Sequence, residues 1–439
     1  MVAMTETTVR DVLSRFEGRR VLVVGDPILD EYVTGDCTRL SPEAPIPVLK
    51  VHGARLVLGG AANTAANVVA LGGHATLVGA IGADEAGQRL TALARTHGID
   101  TALVEDERAS PRKVRALGGH QQLLRLDYED DRPVSPGTAG AVLAGVREHL
   151  ATASVVVVSD YAKGLVDVSF CQQVLALARE ARVPVVIDPR PQHAEAYVGC
   201  EYLTPNWKEA QALLGDVEAA PSPAAIADVG RRLAGRFGAH VVLTLGSLGL
   251  RFFGRDGRAL FDEPAQAREV FDVSGAGDTV VAAFALALAA GADVQVALRL
   301  ANLAAGVVVA KLGTATVSRA EVLQASGADA LVDGEVLAGR IREVRAAGRR
   351  IGVVTGVFET LHAVNLDQLR AVRRTVDLLV IGLHAGGGSD PRPRARVLSS
   401  LRDVDLVHVT DDPDGFVATI APDVHLAEES APVPRSVRP

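Results

Sequence analysis

Short runs of β-branched apolar residues alternate with alanine-rich helical stretches along the first three quarters of this chain. We predict buried strands at residues 21–26, 154–160, 183–189, 201–206 and 240–246. Near-continuous apolar strands separated by helices are typical of a parallel sheet covered on both faces. The pattern therefore predicts a doubly wound α/β domain. Ligands of such sheets bind beyond the carboxyl ends of the strands, where several of these runs end in Asp, Asn or Gly.

Two segments depart from this pattern. From Asp30 to Leu58, and again from Lys113 to Asp127, the residues alternate in character, as in VRALGGHQQLLRLD. Alternation with a period of two is typical of strands that have one covered face. We expect these segments to form a small antiparallel β flap over the ligand site.

The pattern breaks after Val317, and a fresh apolar strand begins at Ile351, with further strands expected near 378–382 and 405–409. A chain of 439 residues is too long for one ordinary core, so two domains are expected. The expected organisation is an N-terminal extension (1–17), the main α/β domain (18–318), a linker and helix (319–350), a smaller Rossmann-like α/β domain (351–427) and a disordered, proline-rich tail (428–439).

Charge and composition exclude several classes of protein. The net charge of −8 argues against a nucleic-acid surface, because binding a phosphate backbone needs a basic field. The three cysteines, Cys37, Cys171 and Cys200, are far apart and odd in number, which favours a reducing cytosol over a disulfide framework. The longest apolar run, 280–290, is too short to span a bilayer, and no signal peptide is visible. We expect a cytoplasmic protein without a membrane partner.

The strongest chemical signal is the segment DVSGAGDTVVAAFALALAAG at residues 272–291. The turn Gly275-Ala276-Gly277 leads directly into a long apolar helix, and main-chain amides at a helix N-terminus form an anion site that glycine lets a phosphate approach closely. Asp278 lies at the mouth of this site, where it could accept a proton from an attacking hydroxyl group. The alternative is a tight turn with Asp278 as a helix cap.

A second glycine cluster, LGGAANTAANVVALGG, covers residues 58–73. Gly59 and Gly60 would let the backbone approach a polyol, and Asn63 and Asn67 share one helical face at a spacing of four residues. Asparagine amides both donate and accept hydrogen bonds, which suits sugar hydroxyls. The alternative is a glycine-rich turn before a helix that tolerates asparagine.

Two further places offer polar groups after a strand. Asp26 and Asp30 follow the first strand and could accept hydrogen bonds from sugar hydroxyls, although Asp30 could equally be a solvated turn residue. Asn206 and Glu209 begin a helix, where they could hold a hydrated Mg²⁺ between nucleotide phosphates. They also fit a capping box, and the two roles are compatible.

The ordered motifs GGAAN, TPNWKE and DVSGAGDT resemble those of the ribokinase-like (PfkB) carbohydrate kinases, over about residues 18–318. The strings at 39–51, 121–127, 159–164 and 305–317 (RLSPEAPIPVLKV, QQLLRLD, SDYAKG and AGVVVAKLGTATV) are similar to the kinase half of the bifunctional heptose enzymes that make ADP-heptose. The resemblance implies phosphorylation of D-glycero-D-manno-heptose 7-phosphate at C1, with ATP and Mg²⁺. It also implies a homodimer paired through the flap.

The resemblance assigns roles to individual residues. Asp278 would be the base, beside an anion hole of the Gly275, Ala276 and Gly277 amides. ATP and Mg²⁺ would lie by Asn206, Trp207, Lys208, Glu209 (through water), Thr244 and Gly246. The sugar phosphate would contact Asp26, Asp30, Gly59, Gly60, Asn63, Lys113, Arg115, Asp160, Lys163 and Arg190. At Arg190 the chain departs from the family, which usually has lysine there, and arginine can still hold a phosphate in a bidentate manner.

The second domain resembles a degenerate, truncated adenylyltransferase half. The stretch GVFETLHAVNLDQL (356–369) keeps His362 of a Gly-x-Phe-Asp…Leu-His-x-Gly-His signature, but Glu359, Val364 and Asn365 replace its Asp, Gly and second His. Asn365 has no positive charge at any pH, so it cannot replace an imidazolium at a pentavalent phosphorus. No lysine follows Lys311. We therefore expect little or no adenylyl transfer.

Three alternatives remain open from the sequence. The kinase could act on a different sugar or sugar phosphate, the chain could be a complete bifunctional kinase and adenylyltransferase, or it could be a non-catalytic sugar-phosphate sensor. The intact Gly-Ala-Gly-Asp motif disfavours the sensor.

Overall fold

The computed structural model describes residues 9–119, 121–265, 270–311, 313–326, 332, 334–385, 390–399, 401 and 403–428. The chain divides into two compact units, with the boundary between Val322 and Leu323. No helix among the described residues has both the length and the apolar character needed to cross a membrane.

The first unit is built on a wide sheet and a smaller one. Its strands are β1 Arg20–Gly25, β2 Pro27–Leu40, β3 Pro47–Gly60, β4 His74–Gly82, β5 Asp100–Asp106, β6 Arg112–Gly118, β7 Gln121–Tyr128, β8 Val155–Ser159, β9 Val185–Asp188, β10 Tyr202–Leu203, β11 His240–Thr244, β12 Leu250–Phe253 and β13 Ala259–Glu263. In the described part of the unit, the wide sheet has the order β13-β12-β11-β10-β9-β8-β1-β4-β5. The strands from β11 to β5 are parallel, while β12 and β13 are antiparallel at one edge.

Helices cover both faces of the wide sheet. The helices of this part of the chain are α1 Val9–Ser14, α2 Ala61–Ala70, α3 Glu85–Thr96, α4 Pro136–Leu150, α5 Val168–Ala181, α6 Trp207–Leu214, α7 Pro223–Phe237, α8 Ala276–Ala289, α9 Val294–Val308 and α10 Arg319–Ala325, and the unit boundary falls within α10. Leu22 and Val24 of β1 pack in one apolar core with residues of α4 to α7, whereas α2 and α8 contact the strands from the other side. Because both faces are covered, the central strands are apolar throughout, and the prediction of a doubly wound fold is confirmed.

The flap is a four-stranded sheet in the order β3-β2-β6-β7. The pairings β2–β3 and β6–β7 are antiparallel, as expected from the alternating pattern, but the central pairing of β2 with β6 is parallel. A parallel pair needs a long connection, and here the chain passes through β3, α2, β4, α3 and β5 between the two strands. Local alternation could not reveal this pairing.

The second unit contains a small parallel sheet in the order β16-β15-β14-β17. Its elements are α11 Gly334–Ala346, β14 Ile351–Gly356, α12 Ala363–Arg373, β15 Leu378–Leu383, α13 Arg392–Ser399, β16 Leu406–Val409, α14 Pro413–Ile420 and β17 Val424–Ala427. The sequence predicted the first three strands but not β17, which is short and only partly buried. Of the expected tail, residues 429–439 lie outside the described residues.

Candidate active site

A cavity of about 270 Å³ opens at the carboxyl edge of the wide sheet. The sequence predicted seven of the residues that line it, namely Arg190, Asn206, Glu209, Thr244, Gly275, Gly277 and Asp278. Four more were not assigned a role, namely Tyr161, Asp188, Thr204 and Val273. The loops after β8, β9, β10 and β11 and the start of α8 therefore meet at one place, as expected for a parallel sheet.

Asp278 is buried at this cavity, with 4% of its surface exposed. Its carboxylate accepts hydrogen bonds from Asn63 Nδ2 at 2.7 Å, Thr64 Oγ1 at 3.2 Å and the Tyr161 hydroxyl at 2.8 Å. Burial raises the pKa of Asp278, and the three donors counteract part of this effect. The result is a fixed carboxylate with a raised pKa, which makes it a stronger proton acceptor than a solvated aspartate.

The turn before α8 needs glycine. Gly275 has φ +80°, in the left-handed region, and a Cβ atom there would lie 2.9 Å from Asn63 Nδ2. The amide of Ala276 donates to the carbonyl of Val273, but for the amides of Gly275 and Gly277 the described residues provide no acceptor. These two amides, together with the positive end of the α8 dipole, form a site suited to an anion.

Arg190 contacts two other residues that line the cavity, Glu209 and Tyr161. Its Nη1 donates to Glu209 Oε1 at 2.5 Å, and its guanidinium lies 4.6 Å from the centre of the Tyr161 ring. Glu209 also closes the predicted capping box of α6, since Asn206 Oδ1 accepts from the Glu209 amide and Glu209 Oε2 accepts from the Asn206 amide. The capping-box interpretation of Asn206 and Glu209 is confirmed, and both residues also line the cavity.

Burial raises the pKa values of the carboxylates of this cavity. Burial raises the pKa of Asp188 well above its ordinary value, and the charges of Glu209 and Asp278 act in the same direction. Burial also raises the pKa of Glu209, against the opposing effects of the Asn206 hydrogen bond and the Arg190 charge. A positively charged ligand at this wall would therefore be stabilised electrostatically.

Two aspartates that the sequence assigned to the sugar hold loops in place. Asp26 Oδ2 accepts from the amides of Tyr161 at 3.0 Å and Lys163 at 3.1 Å, and burial raises the pKa of Asp26 to about 6, helped by the nearby charge of Asp160. Asp160 is fully buried and accepts from His193 Nδ1 at 2.7 Å and the Tyr197 hydroxyl at 2.6 Å. Neither aspartate is among the residues that line the cavity.

The flap supplies a second group of charges. Asp30 is buried and paired with Arg115 Nη1 at 2.6 Å, so it is not the solvated turn residue of the alternative interpretation. Gly59 packs directly against the Asp30 carboxylate, and Gly60, with φ +57°, caps α2. These glycines allow β3 and α2 to approach β2 closely and so position Asn63 beside Asp278.

Lys113 and Lys163 share an acidic partner. Lys113 Nζ lies 3.0 Å and Lys163 Nζ 2.9 Å from the same atom, Glu129 Oε2. Asp127 and Asp131 add one contact each, at 3.3 Å and 2.8 Å. The two lysines that the resemblance assigned to a sugar phosphate are therefore already engaged with carboxylates.

Other predicted nucleotide residues do not line the described cavity. Trp207 Nε1 donates to the carbonyl of Ala219, and Lys208 pairs with Glu218 at 2.8 Å with 76% of its side chain exposed. Gly246 begins a short 3-10 turn after β11.

The second unit has its own turn of main-chain amides, after β14. The amides of Val357 and Phe358 donate to Glu428 Oε2 at 2.8 and 2.7 Å. Asn365 is buried and accepts from the His362 amide at 2.9 Å, capping α12, while His362 itself is exposed. The two residues of the degenerate signature therefore serve the helix N-terminus.

Sequence reasoning missed Tyr161, Thr64 and Asp188. Each is adjacent to a recognised motif: Tyr161 lies in SDYAKG, Thr64 follows GGAAN, and Asp188 ends a predicted strand. The available signal was their position after a strand or at a helix start, but the contacts to Asp278 join residues more than 100 positions apart.

The comparisons with known proteins agree with this geometry. The model of the pfkB family of carbohydrate kinases matches residues 20–321. The bifunctional protein HldE of Rhodospirillum rubrum is 41% identical over 92% of this chain and 86% of its own length, and that of Geobacter metallireducens is 36% identical over 96% and 90%.

Solved structures share the fold at low sequence identity. The tetrameric inhibited form of phosphofructokinase-2 from Escherichia coli has a TM-score of 0.59 at 19% identity, covering 70% of this chain and 97% of its own. Arabidopsis thaliana ribokinase complexed with ribose and ATP has a TM-score of 0.55 at 22% identity, over 70% and 98%. The chain therefore belongs to the pfkB family of carbohydrate kinases and is a sugar kinase with the ribokinase-like fold.

Proposed function

We propose that the first unit transfers the γ-phosphoryl group of ATP to the C1 hydroxyl of D-glycero-D-manno-heptose 7-phosphate, giving the 1,7-bisphosphate in nucleotide-activated heptose biosynthesis. The observation that carries the proposal is the buried Asp278 carboxylate beside the Gly275 and Gly277 amides, in one cavity. Identities of 36% and 41% to proteins named bifunctional HldE, together with the motifs that resemble the heptose enzymes, support heptose 7-phosphate as the phosphoryl acceptor.

In this reaction the sugar oxygen attacks the γ-phosphorus in line, its proton passes to Asp278, and the bond to the bridging oxygen of ADP breaks. Asn63, Thr64 and Tyr161 hold the base in one orientation, so little reorganisation is needed. The amides of Gly275 and Gly277 stabilise charge on the transferring group, which is the main requirement of phosphoryl transfer.

The nucleotide side of the proposal places ATP phosphates against Asn206, Glu209 and Thr244, while Arg190, which lines the same cavity, keeps its assignment to the sugar phosphate. Glu209 and Asp188 offer carboxylate oxygens at the cavity wall, which are the donors that Mg²⁺ prefers. Among the described residues no group of three or more His, Cys, Asp or Glu side chains could hold a metal ion. When bound, Mg²⁺ would neutralise charge on the phosphates.

A panel of sugars tests the proposal. Purified protein would be supplied with ATP and, in turn, heptose 7-phosphate, free heptose, fructose 6-phosphate, ribose and a nucleoside, with product mass recorded. We expect kcat/KM for heptose 7-phosphate to exceed kcat/KM for every other acceptor by at least roughly 100-fold. Preference for an unphosphorylated hexose or nucleoside would refute the heptose assignment and leave the sugar kinase intact.

We further propose that the second unit does not transfer adenylyl groups. The amides of Val357 and Phe358 are held by Glu428, and Asn365 caps a helix instead of supplying a cation. Heptose 1-phosphate and ATP should therefore yield no pyrophosphate above background. A rate comparable to the kinase rate would favour the complete bifunctional enzyme.

We also propose that the protein is a homodimer, paired through the flap, and that it acts in the cytoplasm. Large apolar side chains are exposed along the flap, including Leu40 (65%), Leu124 (54%) and Tyr128 (48%). A second copy covering this surface would remove it from water. Sedimentation analysis should give twice the monomer mass, and Leu124→Glu should shift it toward the monomer.

A further inference from the structure

The flap cluster, defined here as Lys113, Lys163, Asp127, Glu129 and Asp131, holds one carboxylate between two lysines. Both ammonium groups lie within 3.0 Å of a single oxygen, Glu129 Oε2. The lysine side chains are mostly buried, with 19% of Lys113 and 11% of Lys163 exposed, and 22% of Glu129. This is the coordination that a phosphate oxygen would receive from the same two donors.

The cluster is linked to the proposed reaction centre through the loop after β8. Lys163 is two residues after Tyr161, whose hydroxyl bonds the Asp278 carboxylate, so the Cα atoms of Tyr161 and Lys163 are at most about 7 Å apart. The amides of both residues are fixed by Asp26. One loop therefore carries both a partner of Asp278 and a lysine of this cluster.

On this basis, and resting on the proposed function, we infer that Glu129 occupies the position of the substrate's distal phosphate in the free enzyme, and that a phosphorylated sugar displaces it. Glu129 would then be a specificity-determining residue. A neutral sugar has no negative charge that could replace the carboxylate, so Glu129 stays paired with both lysines and a neutral sugar does not bind there. A phosphate brings between one and two negative charges and three acceptor oxygens, which outweigh one carboxylate.

The surroundings allow this exchange without unfolding. Glu129 follows the end of β7 and lies outside regular structure. Arg108 Nη1 holds the neighbouring carbonyls of Asp130 and Arg132, at 3.3 and 2.6 Å. The backbone is therefore anchored, and movement of Glu129 is left to its side chain. After displacement, Asp127 and Asp131 remain in contact with Lys113 and Lys163 respectively.

A tethered carboxylate competes at an effective concentration in the millimolar range or above. Removing it in Glu129→Gln should lower KM for heptose 7-phosphate roughly three- to tenfold, with kcat within about twofold of the wild type, because the change favours binding of the ground state and of the transition state equally. Turnover of free heptose should not improve. Glu180→Gln, the same change on the exposed end of α5, is the matched control and should leave every constant unchanged.

Inorganic phosphate provides a test that does not depend on the sugar. Calorimetric titration should show tighter phosphate binding by Glu129→Gln than by the wild type, and adding Lys163→Met to that variant should abolish the gain. An unchanged or raised KM, together with unchanged phosphate affinity, would overturn the inference while leaving the kinase proposal standing. If heptose 7-phosphate is not a substrate, the proposed function fails, and the phosphate titration alone decides whether Glu129 occupies an anion site.

Discussion

Each unit of this protein has a turn of main-chain amides beside a carboxylate. In the first unit the amides of Gly275 and Gly277 face a cavity, and the carboxylate of Asp278 is held by side chains from α2 and the loop after β8. In the second unit the amides of Val357 and Phe358 donate directly to Glu428. One turn is available to a ligand, and the other is filled by its own chain.

The filled turn also shows how the chain compensates for an unfavourable backbone. Phe358 has φ +47°, a left-handed conformation that costs a residue with a side chain about 1–2 kcal/mol. Its ring is buried, and its amide bonds a charged acceptor, which together offset this cost. Arg394 Nη1 fixes the preceding carbonyl, that of Val357, at 2.5 Å. The two turns thus differ in whether a side chain of the protein already satisfies their main-chain amides.

The largest expected effect is on kcat, and it distinguishes the carboxylate of Asp278 from that of Glu428. Asp278→Asn should lower kcat about 1,000-fold, because a positioned general base contributes about 10²–10⁴-fold, while ATP affinity stays within twofold. Glu428→Gln should leave kinase activity unchanged. Steady-state assays measure kcat of both variants, and calorimetric titration measures the affinity of Asp278→Asn for ATP. Near-normal turnover by Asp278→Asn would show that Asp278 is not the general base.

A matched pair of glycine substitutions compares the turns themselves. Gly275→Ala introduces a Cβ 2.9 Å from Asn63 Nδ2 at φ +80°, so we expect kcat to fall roughly 10- to 100-fold as the amides and Asn63 shift. In Gly356→Ala the new Cβ lies 2.5 Å from Glu428 Oε2, and we expect local destabilisation without loss of kinase activity. Equal kinase defects in the two variants would contradict the comparison.

Loss of charge at Glu428 should loosen the second turn. Hydrogen bonds to a charged acceptor contribute about 1.5–3 kcal/mol each, and the neutral carbonyl oxygen of glutamine can still accept both amides more weakly, so Glu428→Gln should cost about 1–2 kcal/mol locally. The amides of Val357 and Phe358 should exchange with deuterium roughly tenfold faster, with exchange in α8 as the internal control. Unchanged protection at Val357 and Phe358 would mean that Glu428 does not hold the turn.

The smallest effect concerns the pH dependence of the kinase. The Tyr161 hydroxyl lowers the pKa of Asp278 by stabilising its ionised form. Tyr161→Phe should therefore raise that pKa, and because the base must be ionised to act, the acid limb of kcat should move to higher pH. A pH profile of kcat tests the direction, with Tyr128→Phe on the flap as control. A shift to lower pH would show that Tyr161 does not act on Asp278.

Much of the fold followed from local patterns. The apolar runs ending at Asp26, Asp160 and Asp188 predicted parallel strands, because a strand covered on both faces must be apolar throughout. The GAGD turn predicted the start of α8 and the position of Asp278, since glycine and the helix N-terminus are properties of neighbouring residues. The parallel pairing of β2 with β6 and the strand β17 were missed, because their partners are distant in the chain.

What only the tertiary structure decided is which partner satisfies each charge. Asp160 looked like a sugar ligand but is satisfied by His193 and Tyr197, and Glu428 fills an amide turn 70 positions earlier. Hydrogen bonds and ion pairs need groups within about 3 Å but impose no spacing along the chain, so no sequence period records them. The sequence by itself determined the class of fold and the place of the GAGD turn and its carboxylate at the start of α8, because each depends on short-range geometry and burial.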